Sequence, residues 1–182
     1  MSNFTDQKPP ENVRYIRQIL WYFTSAIIFE TKWFPFSSIK VRMLKIFGCT
    51  IARDVYLKPC VRIKYPWKLK IGKSSTIGED VWIDNTEFVE VGAETCISQS
   101  VYICTGNHDY RSTSLPYFGN GIVIGANCWI CARAVILPGA VIGDGCVVGI
   151  GVHVSGDISQ YSVVRLLQDT DISDRKLLTD YE

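Results

Sequence analysis

The chain has 182 residues, of which 47% are hydrophobic and 20% are charged, so it can fold as one domain with its own core. The formal net charge of +1 excludes the strongly basic balance that is typical of nucleic-acid-binding proteins, and no nucleic-acid partner is predicted. The seven cysteines follow a polar start without the apolar stretch of a secretory leader. This combination favours a reducing, cytoplasmic location.

The first segment, residues 1–45, is predicted to be helical. Residues from Asn12 to Glu30 carry apolar side chains near helical spacing, and a proline-interrupted link leads into a second short helix. The apolar run from Ile19 to Phe29 is too short to span a bilayer, which takes about 20 residues. Its basic flanks would allow peripheral membrane contact through residues 13–46, at the inner face of the membrane. The interpretation favoured here is a helix packed on the domain or on a partner subunit.

From residue 46 to residue 164 an aliphatic residue recurs every six positions, with two extra residues after some groups of three. The positions are Ile51, Leu57, Ile63, Ile71, Ile77, Ile83, Val91, Ile97, Ile103, Ile124, Ile130, Ile136, Ile142, Val148 and Val154. An even period keeps side chains on one face of a strand and does not fit an α-helix. Three short strands and three corners therefore make each turn of a three-sided coil with an aliphatic interior.

Two further positions of the repeat are constrained. A small residue, usually glycine, follows the first aliphatic residue of each turn, and we attribute it to the backbone angles of a tight corner. These residues are Ala52, Gly72, Gly92, Gly125 and Gly143. The fourth position after the aliphatic residue is usually compact, as in Ser75, Thr95 and Ala134.

The segments IGKSST, IGEDVW, VGAETC, IGANCW and IGDGCV resemble the hexapeptide-repeat family. The resemblance implies a mainly β fold, namely a left-handed parallel β-helix of about five turns, with an N-terminal helical segment and one long excursion loop. The β-helix domain would cover residues 46–164 and the loop residues 104–121. Residues 165–182 would form a C-terminal tail or a capping helix.

The excursion loop carries His108, one of only two histidines in the chain. A neutral imidazole can accept a proton from a hydroxyl or an amine near pH 7. The alternative is a histidine that only forms hydrogen bonds within the loop. His153, on a late turn and next to an interior position, is interpreted as structural.

The stretches RIKYPWKLKIG, VWIDN and ISQSVYICTGNHDY look like the bacterial exopolysaccharide O-acetyltransferases of the colanic acid type. The resemblance implies that His108 is the general base, which removes a proton from a sugar hydroxyl that attacks acetyl-CoA. Asp109 would orient this base or fix the loop. The acceptor would be a sugar or a lipid-linked glycan of surface polysaccharide biosynthesis, and the protein a homotrimer with active sites between subunits.

The same resemblance implies two sets of binding residues. The acceptor contacts would be Trp82, Asp84, Asn85, Tyr110 and Arg111. For Asp84 and Asn85 the alternative is a corner role, because Asp and Asn favour turns. The cofactor contacts would be Trp129, Ala132, Gly149, Ile150, Gly151, Ser155 and Arg165.

Three departures from the family pattern lie on the cofactor side. Cys131 occupies a usual glycine position, the bulky Ile150 lies where a small residue is usual, and the sequence after Val164 replaces the usual AGNPAK loop. These departures favour two alternatives, a scaffold that has lost CoA binding or an unusual CoA site. An N-acetyltransferase would use the same base. A metal site is not predicted, because the related zinc enzymes on this coil require three histidines.

Overall fold

The computed structural model describes residues 11–109 and 111–166. Helix α1 (Glu11–Thr24) continues into a π-helical turn (Ser25–Phe29), and helix α2 covers Ser37–Ile46. A short 3-10 helix covers Pro66–Lys68. The predicted C-terminal tail, residues 165–182, lies outside the described residues except for Arg165 and Leu166.

The strands that follow are short. They are β1 (Thr50–Ile51), β2 (Tyr56–Leu57), β3 (Arg62–Ile63), β4 (Leu69–Ile71), β5 (Thr76–Ile77), β6 (Trp82–Asp84), β7 (Val89–Val91), β8 (Cys96–Ile97), β9 (Tyr102–Cys104), β10 (Gly106–His108), β11 (Tyr117–Gly119), β12 (Ile122–Ile124), β13 (Trp129–Ile130), β14 (Val135–Ile136), β15 (Val141–Ile142), β16 (Val147–Val148), β17 (His153–Val154), β18 (Asp157–Ile158) and β19 (Val163–Val164).

Consecutive strands of the coil belong to three different parallel sheets. Sheet A contains β1, β4, β7, β12, β15 and β18, sheet B contains β2, β5, β8, β13, β16 and β19, and sheet C contains β3, β6, β9, β14 and β17. Five complete turns and two strands of a sixth result. The predicted parallel β-helix is confirmed, and it runs slightly further than expected because Ile158 and Val164 continue the pattern.

The aliphatic file forms the core. All fifteen predicted interior residues are buried, and none is more than 7% exposed. Full burial of such a side chain contributes about 1.5–3 kcal/mol. The compact residues at the fourth position are buried as well; Ser75 and Thr95 satisfy their hydroxyls by donating to the carbonyls of Gly92 and Gly125 in the next turn, both at 2.8 Å.

The glycines after the aliphatic residues lie at corners, but the predicted reason for them is wrong. The left-handed backbone angles fall two residues later, at Ser74 and Glu94 for example, with φ of 55° and 58°. A Cβ on Gly92 would instead lie 2.3 Å from the carbonyl carbon of Gly125. Glycine is needed here because the corners of successive turns stack in direct backbone contact.

The helical segment packs on the first turns of the coil. Trp21 is buried, its indole N–H donates to the carbonyl of Ile63 at 2.8 Å, and its ring makes edge contacts with Phe29 and Phe47. Helix α2 inserts Leu44 into the core. The open end of a β-helix exposes apolar surface, and these contacts cover it.

Candidate active site

A two-stranded antiparallel hairpin, β10–β11, leaves the coil at the corner between sheets C and A, called here the CA corner. Thr105 anchors its root. The Thr105 side chain is fully buried, its Oγ1 accepts the N–H of Glu87 at 2.9 Å, and it donates to the carbonyl of Asp84 at 3.2 Å. The hairpin is therefore held by hydrogen bonds to the corner of the preceding turn.

His108 ends strand β10, and its side chain is exposed to solvent. Its Nδ1 lies 2.7 Å from the carbonyl oxygen of Leu115. Because a carbonyl oxygen only accepts hydrogen bonds, Nδ1 must carry the hydrogen. The neutral ring then has its lone pair on Nε2, which is the form that a general base requires.

Tyr117 lies opposite His108 across the hairpin and was not singled out by the sequence. The two rings meet edge to face, with centroids 5.6 Å apart. The Tyr117 hydroxyl makes a short hydrogen bond with Oγ1 of Thr86 in the neighbouring corner. A Cβ on Gly106 or on Gly119 would lie within 2.9 Å of the Tyr117 side chain. These two glycines are the signal in the sequence that a large side chain crosses the hairpin.

Asp109 serves the loop in this structure. Its Oδ1 accepts the backbone N–H of Arg111 at 3.0 Å, and its own N–H donates to the carbonyl of Pro116 at 3.1 Å. The hydrogen-bond partner of the imidazole Nδ1 is the Leu115 carbonyl. The contacts of Asp109 therefore match the alternative in which Asp109 fixes the loop. The Arg111 side chain is 81% exposed. Tyr110 lies outside the described residues.

Trp82 and Asp84 line a cleft of about 600 Å³ between helix α1 and the outer face of sheet C. Trp82 lies against Tyr102, with ring centroids 4.8 Å apart, and the guanidinium of Arg62 lies 4.4 Å from its ring. An aromatic face beside a planar donor suits a hydroxyl-rich ring. The cleft therefore contains two of the five predicted acceptor contacts.

The charged end of this cleft is an ion pair between Lys64 Nζ and Asp84 Oδ1, 2.8 Å apart. Partial burial lowers the pKa of Lys64, but the hydrogen bond and charge of Asp84 outweigh it and raise the pKa above its ordinary value. Burial also raises the pKa of Tyr102, whose hydroxyl lies 3.3 Å from Asp84 Oδ2 and donates to it. Tyr117 contacts the His108 ring on one side and Thr86, two residues after Asp84, through its hydroxyl.

Asn85 differs from the prediction of a substrate contact. Its side chain is fully buried, Oδ1 accepts the N–H of Tyr65 at 3.0 Å, and Nδ2 donates to the carbonyls of Tyr65 and Lys68 at 2.7 and 3.2 Å. The amide is thus used by the backbone of the previous corner. The corner alternative describes Asn85, and the acceptor role is withdrawn for it.

Most of the predicted cofactor residues lie together at the corner between sheets B and C, called here the BC corner. They are Ala132, Gly149, Ile150, Gly151 and Arg165, which follow strands β13, β16 and β19 of successive turns. The N–H of Gly151 donates to the carbonyl of Ala132 at 3.1 Å. Trp129 lies on the adjoining outer face of sheet B, and its indole N–H donates to Ser98 Oγ at 3.0 Å.

Two of the family departures differ in their exposure. Cys131 is only 7% exposed, and burial raises the pKa of its thiol. Ile150 is 69% exposed and projects outward. Ser155 does not join this group, because it follows β17 at the CA corner.

The acceptor and cofactor sets therefore lie on different edges of one chain. The His108 hairpin leaves from the CA corner, and the cofactor residues lie at the BC corner, with sheet C between them. The second histidine, His153, is exposed on the outer face of β17 in sheet C.

Residues 121–156 match the model of the bacterial transferase hexapeptide family, which contains six repeats. Over 151 residues the chain is 37% identical to WcaF of Escherichia coli K12, named as an acetyltransferase of colanic acid biosynthesis, and the match covers 82% of each chain. The chain belongs to the hexapeptide-repeat acetyltransferase family. It is also 30% identical over 120 residues to the galactoside O-acetyltransferase of the same organism, covering 64% of this chain and 59% of that one.

Solved structures of hexapeptide-repeat acetyltransferases share the fold. The galactoside acetyltransferase in complex with coenzyme A superposes with a TM-score of 0.72 at 22% identity, covering 97% of this chain and 94% of that one. An enzyme of this family from Vibrio cholerae, complexed with acetyl-coenzyme A, gives a TM-score of 0.74 at 17% identity and covers 90% and 86%. Membership of the family makes this chain an acetyltransferase.

Proposed function

We propose that this enzyme transfers an acetyl group from acetyl-CoA to a hydroxyl of a sugar in surface polysaccharide biosynthesis, with His108 as general base. The observation that carries the proposal is the 2.7 Å contact between His108 Nδ1 and the Leu115 carbonyl. It leaves Nε2 as the acceptor on an exposed ring. The hairpin that carries this ring is anchored to Asp84, which lines the cleft of aromatic and charged side chains.

In the proposed chemistry the chain accepts one proton from the acceptor and later returns it to the leaving group. Nε2 of His108 accepts the proton of the acceptor hydroxyl, whose oxygen then forms the new ester bond, and the imidazolium returns the proton to the leaving thiolate. Acetyl-CoA supplies the acetyl group as a thioester when it is bound. Lys64 and Tyr117, which sequence reasoning missed, lie where the acceptor sugar would enter.

The BC corner fits the slender pantetheine arm of CoA. Ala132 and the two glycines keep side chains away from the corner backbone, while Trp129 and Ile150 offer exposed apolar surface at its sides. Arg165 is an exposed cation at the same corner, suited to a phosphate. Because Cys131 is only 7% exposed, its side chain adds little bulk to the surface of this corner.

The proposal includes a homotrimer, because the hairpin and the BC corner are separated within one chain. A neighbouring subunit would complete each site. It also includes a cytoplasmic location, in keeping with seven cysteines that are all free thiols.

The test is acetyl transfer by the His108→Ala variant, with His153→Ala as the matched control. The purified enzyme is incubated with acetyl-CoA and a panel of saccharides that offer hydroxyls or amines, and release of the CoA thiol is followed. Loss of the base should lower kcat by about 10²–10⁴-fold. The control should keep wild-type turnover. Mild alkali then removes O-acetyl groups and spares N-acetyl groups, which separates the two acceptor classes.

Calorimetry with acetyl-CoA complements the assay. Binding by both the wild type and His108→Ala is expected, since His108 is not among the BC corner residues. Unchanged turnover of His108→Ala would refute the base, and absence of both binding and turnover in the wild type would favour the scaffold alternative.

A further inference from the structure

The predicted apolar stripe of helix α1 faces outward. Every exposed residue between positions 15 and 29 is apolar or aromatic, namely Tyr15, Ile16, Ile19, Leu20, Tyr22, Phe23, Ala26 and Ile27. The residues that pack on the coil, Trp21, Ser25 and Phe29, occupy the opposite side. Six of the large side chains in this stripe are more than 55% exposed, namely Tyr15, Ile16, Leu20, Tyr22, Phe23 and Ile27. A contiguous apolar face of this kind marks an interaction surface.

The exposed residues that follow this face in the chain, called here its rim, are basic and aromatic. Lys32, Arg42 and Lys45 are exposed beyond its end, together with Trp33 and Phe36, which are 68% and 58% exposed. Among the described side chains from 15 to 49 the acidic one is Glu30, whose Oε1 accepts a hydrogen bond from Ser25 Oγ at 2.8 Å. The rim therefore carries a positive charge that complements an anionic surface.

We propose that the outward face of α1 and the following π-helical turn rests on an anionic lipid bilayer. An interfacial helix buries its apolar face about 5–10 Å into the headgroup region, while adjacent Lys and Arg side chains attract anionic lipid. Tryptophan at the rim suits the same boundary. Among the described residues no helix is long and apolar enough to cross a membrane, which agrees with a helix that lies on the surface.

A two-fold contact between copies would bring this surface against itself and the two basic rims together, which disfavours that occupant. In the proposed trimer a contact between copies would be heterologous, and the oligomeric mass of the variant described below tests that occupant. The face also adjoins the acceptor cleft, because Ile19, Tyr22 and Phe23 belong to both. Docking would therefore place the cleft at the membrane, where a lipid-linked acceptor is found.

Cosedimentation of the full chain with vesicles tests the proposal. The probes are phosphatidylcholine vesicles with and without phosphatidylglycerol, at low and high salt. The variant Ile16→Glu/Leu20→Glu changes two exposed residues that do not line the cleft, and its affinity should fall by more than about tenfold. Val141→Glu/Val163→Glu adds the same charge to exposed strand positions of the coil and serves as the matched control. It should bind as the wild type does.

Tryptophan fluorescence shows which part of the chain contacts the vesicle. The emission of Trp33 should shift to the blue when the wild type binds phosphatidylglycerol vesicles, and the shift should be smaller in Trp33→Phe. Arg42→Gln/Lys45→Gln should weaken binding to anionic vesicles and lower its salt dependence.

The proposal is overturned if the wild type does not bind anionic vesicles. It is also overturned if the Ile16→Glu/Leu20→Glu variant binds them with the affinity of the wild type. A fall in the oligomeric mass of that variant, without vesicle binding by the wild type, would assign the face to a second copy. Acetyl transfer to a water-soluble saccharide is measured on the same preparations and should stay unchanged. The docking proposal and the His108 proposal can therefore fail independently.

Discussion

The orientation of His108 depends on a backbone atom and on one aromatic side chain. The Leu115 carbonyl selects the tautomer, and Tyr117 borders the ring from the opposite strand. Neither residue belongs to the TGNHDY segment that points to the base. If His108 is the base, as proposed, its ring is oriented without a carboxylate partner, and the Asp109 side chain accepts a hydrogen bond within the turn.

Tyr117 is expected to position the imidazole. Tyr117→Ala removes the ring and its hydrogen bond to Thr86, and we expect kcat to fall by about 10²-fold because the base loses its alignment. Tyr117→Phe keeps the ring and should cost less. The measurement is kcat and KM for acetyl transfer.

Phe118→Ala is the control for this prediction. Phe118 is 45% exposed and points to the other side of the same strand. A wild-type kcat for Tyr117→Ala would show that the hairpin backbone alone holds His108.

At the scale of the element, two corner positions of the six-residue unit are restricted, each for a different steric reason. One position excludes a side chain because the next turn is in contact with it, and the other requires a left-handed backbone. Among the described residues of the coil, nine residues other than glycine, including Asp54, Cys60 and Asp80, adopt positive φ. The local cost of that conformation is offset by the ladder hydrogen bonds that the corner allows, such as Gly92 N–H to Ile124 O at 2.7 Å.

Gly92→Ala should therefore destabilise the coil more than an ordinary corner substitution. Its Cβ would lie 2.3–2.5 Å from backbone atoms of Gly125 and Ala126, so the two turns must separate, at a cost of about 3 kcal/mol. The free energy of unfolding in urea measures this cost.

Gly156→Ala is the comparison, since nothing lies within 4 Å of its Cβ and φ is +79°. Only backbone strain of about 1 kcal/mol is expected there. Equal losses of unfolding free energy in the two variants would mean that the stacked corners can separate without a free-energy cost.

For the whole molecule, the main question is where the two proposed half-sites lie, the acceptor half-site at His108 and the CoA half-site at the BC corner. The His108 hairpin projects from the CA corner, and the residues proposed to bind CoA lie at the BC corner, on another edge of the coil. If a trimer joins these edges, each active site combines residues of two chains.

Mixed assemblies test this arrangement. His108→Ala and Ala132→Tyr each inactivate one half-site, so either variant alone should be inactive. Random co-assembly should restore activity at about one quarter of the sites if they lie between subunits. The specific activity of the coexpressed, tagged mixture is the measurement, with separately expressed and mixed trimers as the control. A mixture as inactive as its components would place each site within one chain.

The sequence by itself determined the coil, its interior file and the loop that interrupts it. Side-chain alternation along a strand is a local property, so an even period can be read directly from neighbouring residues. The period also drew attention to His108, which stands where it stops, but the role of base for His108 came from the family resemblance and stays a prediction.

Only the tertiary structure decided which partners each residue meets. Asn85 is buried against the previous corner, the carbonyl of Leu115 reaches His108, and Cys131 is buried while Ile150 is exposed. The helical spacing in α1 located an apolar stripe but gave no direction for it, and the packing of Trp21 on Ile63 turned that stripe toward solvent. The contacts of Asn85 and Trp21 join residues 20 and 42 positions apart, and no local pattern in the sequence encodes them.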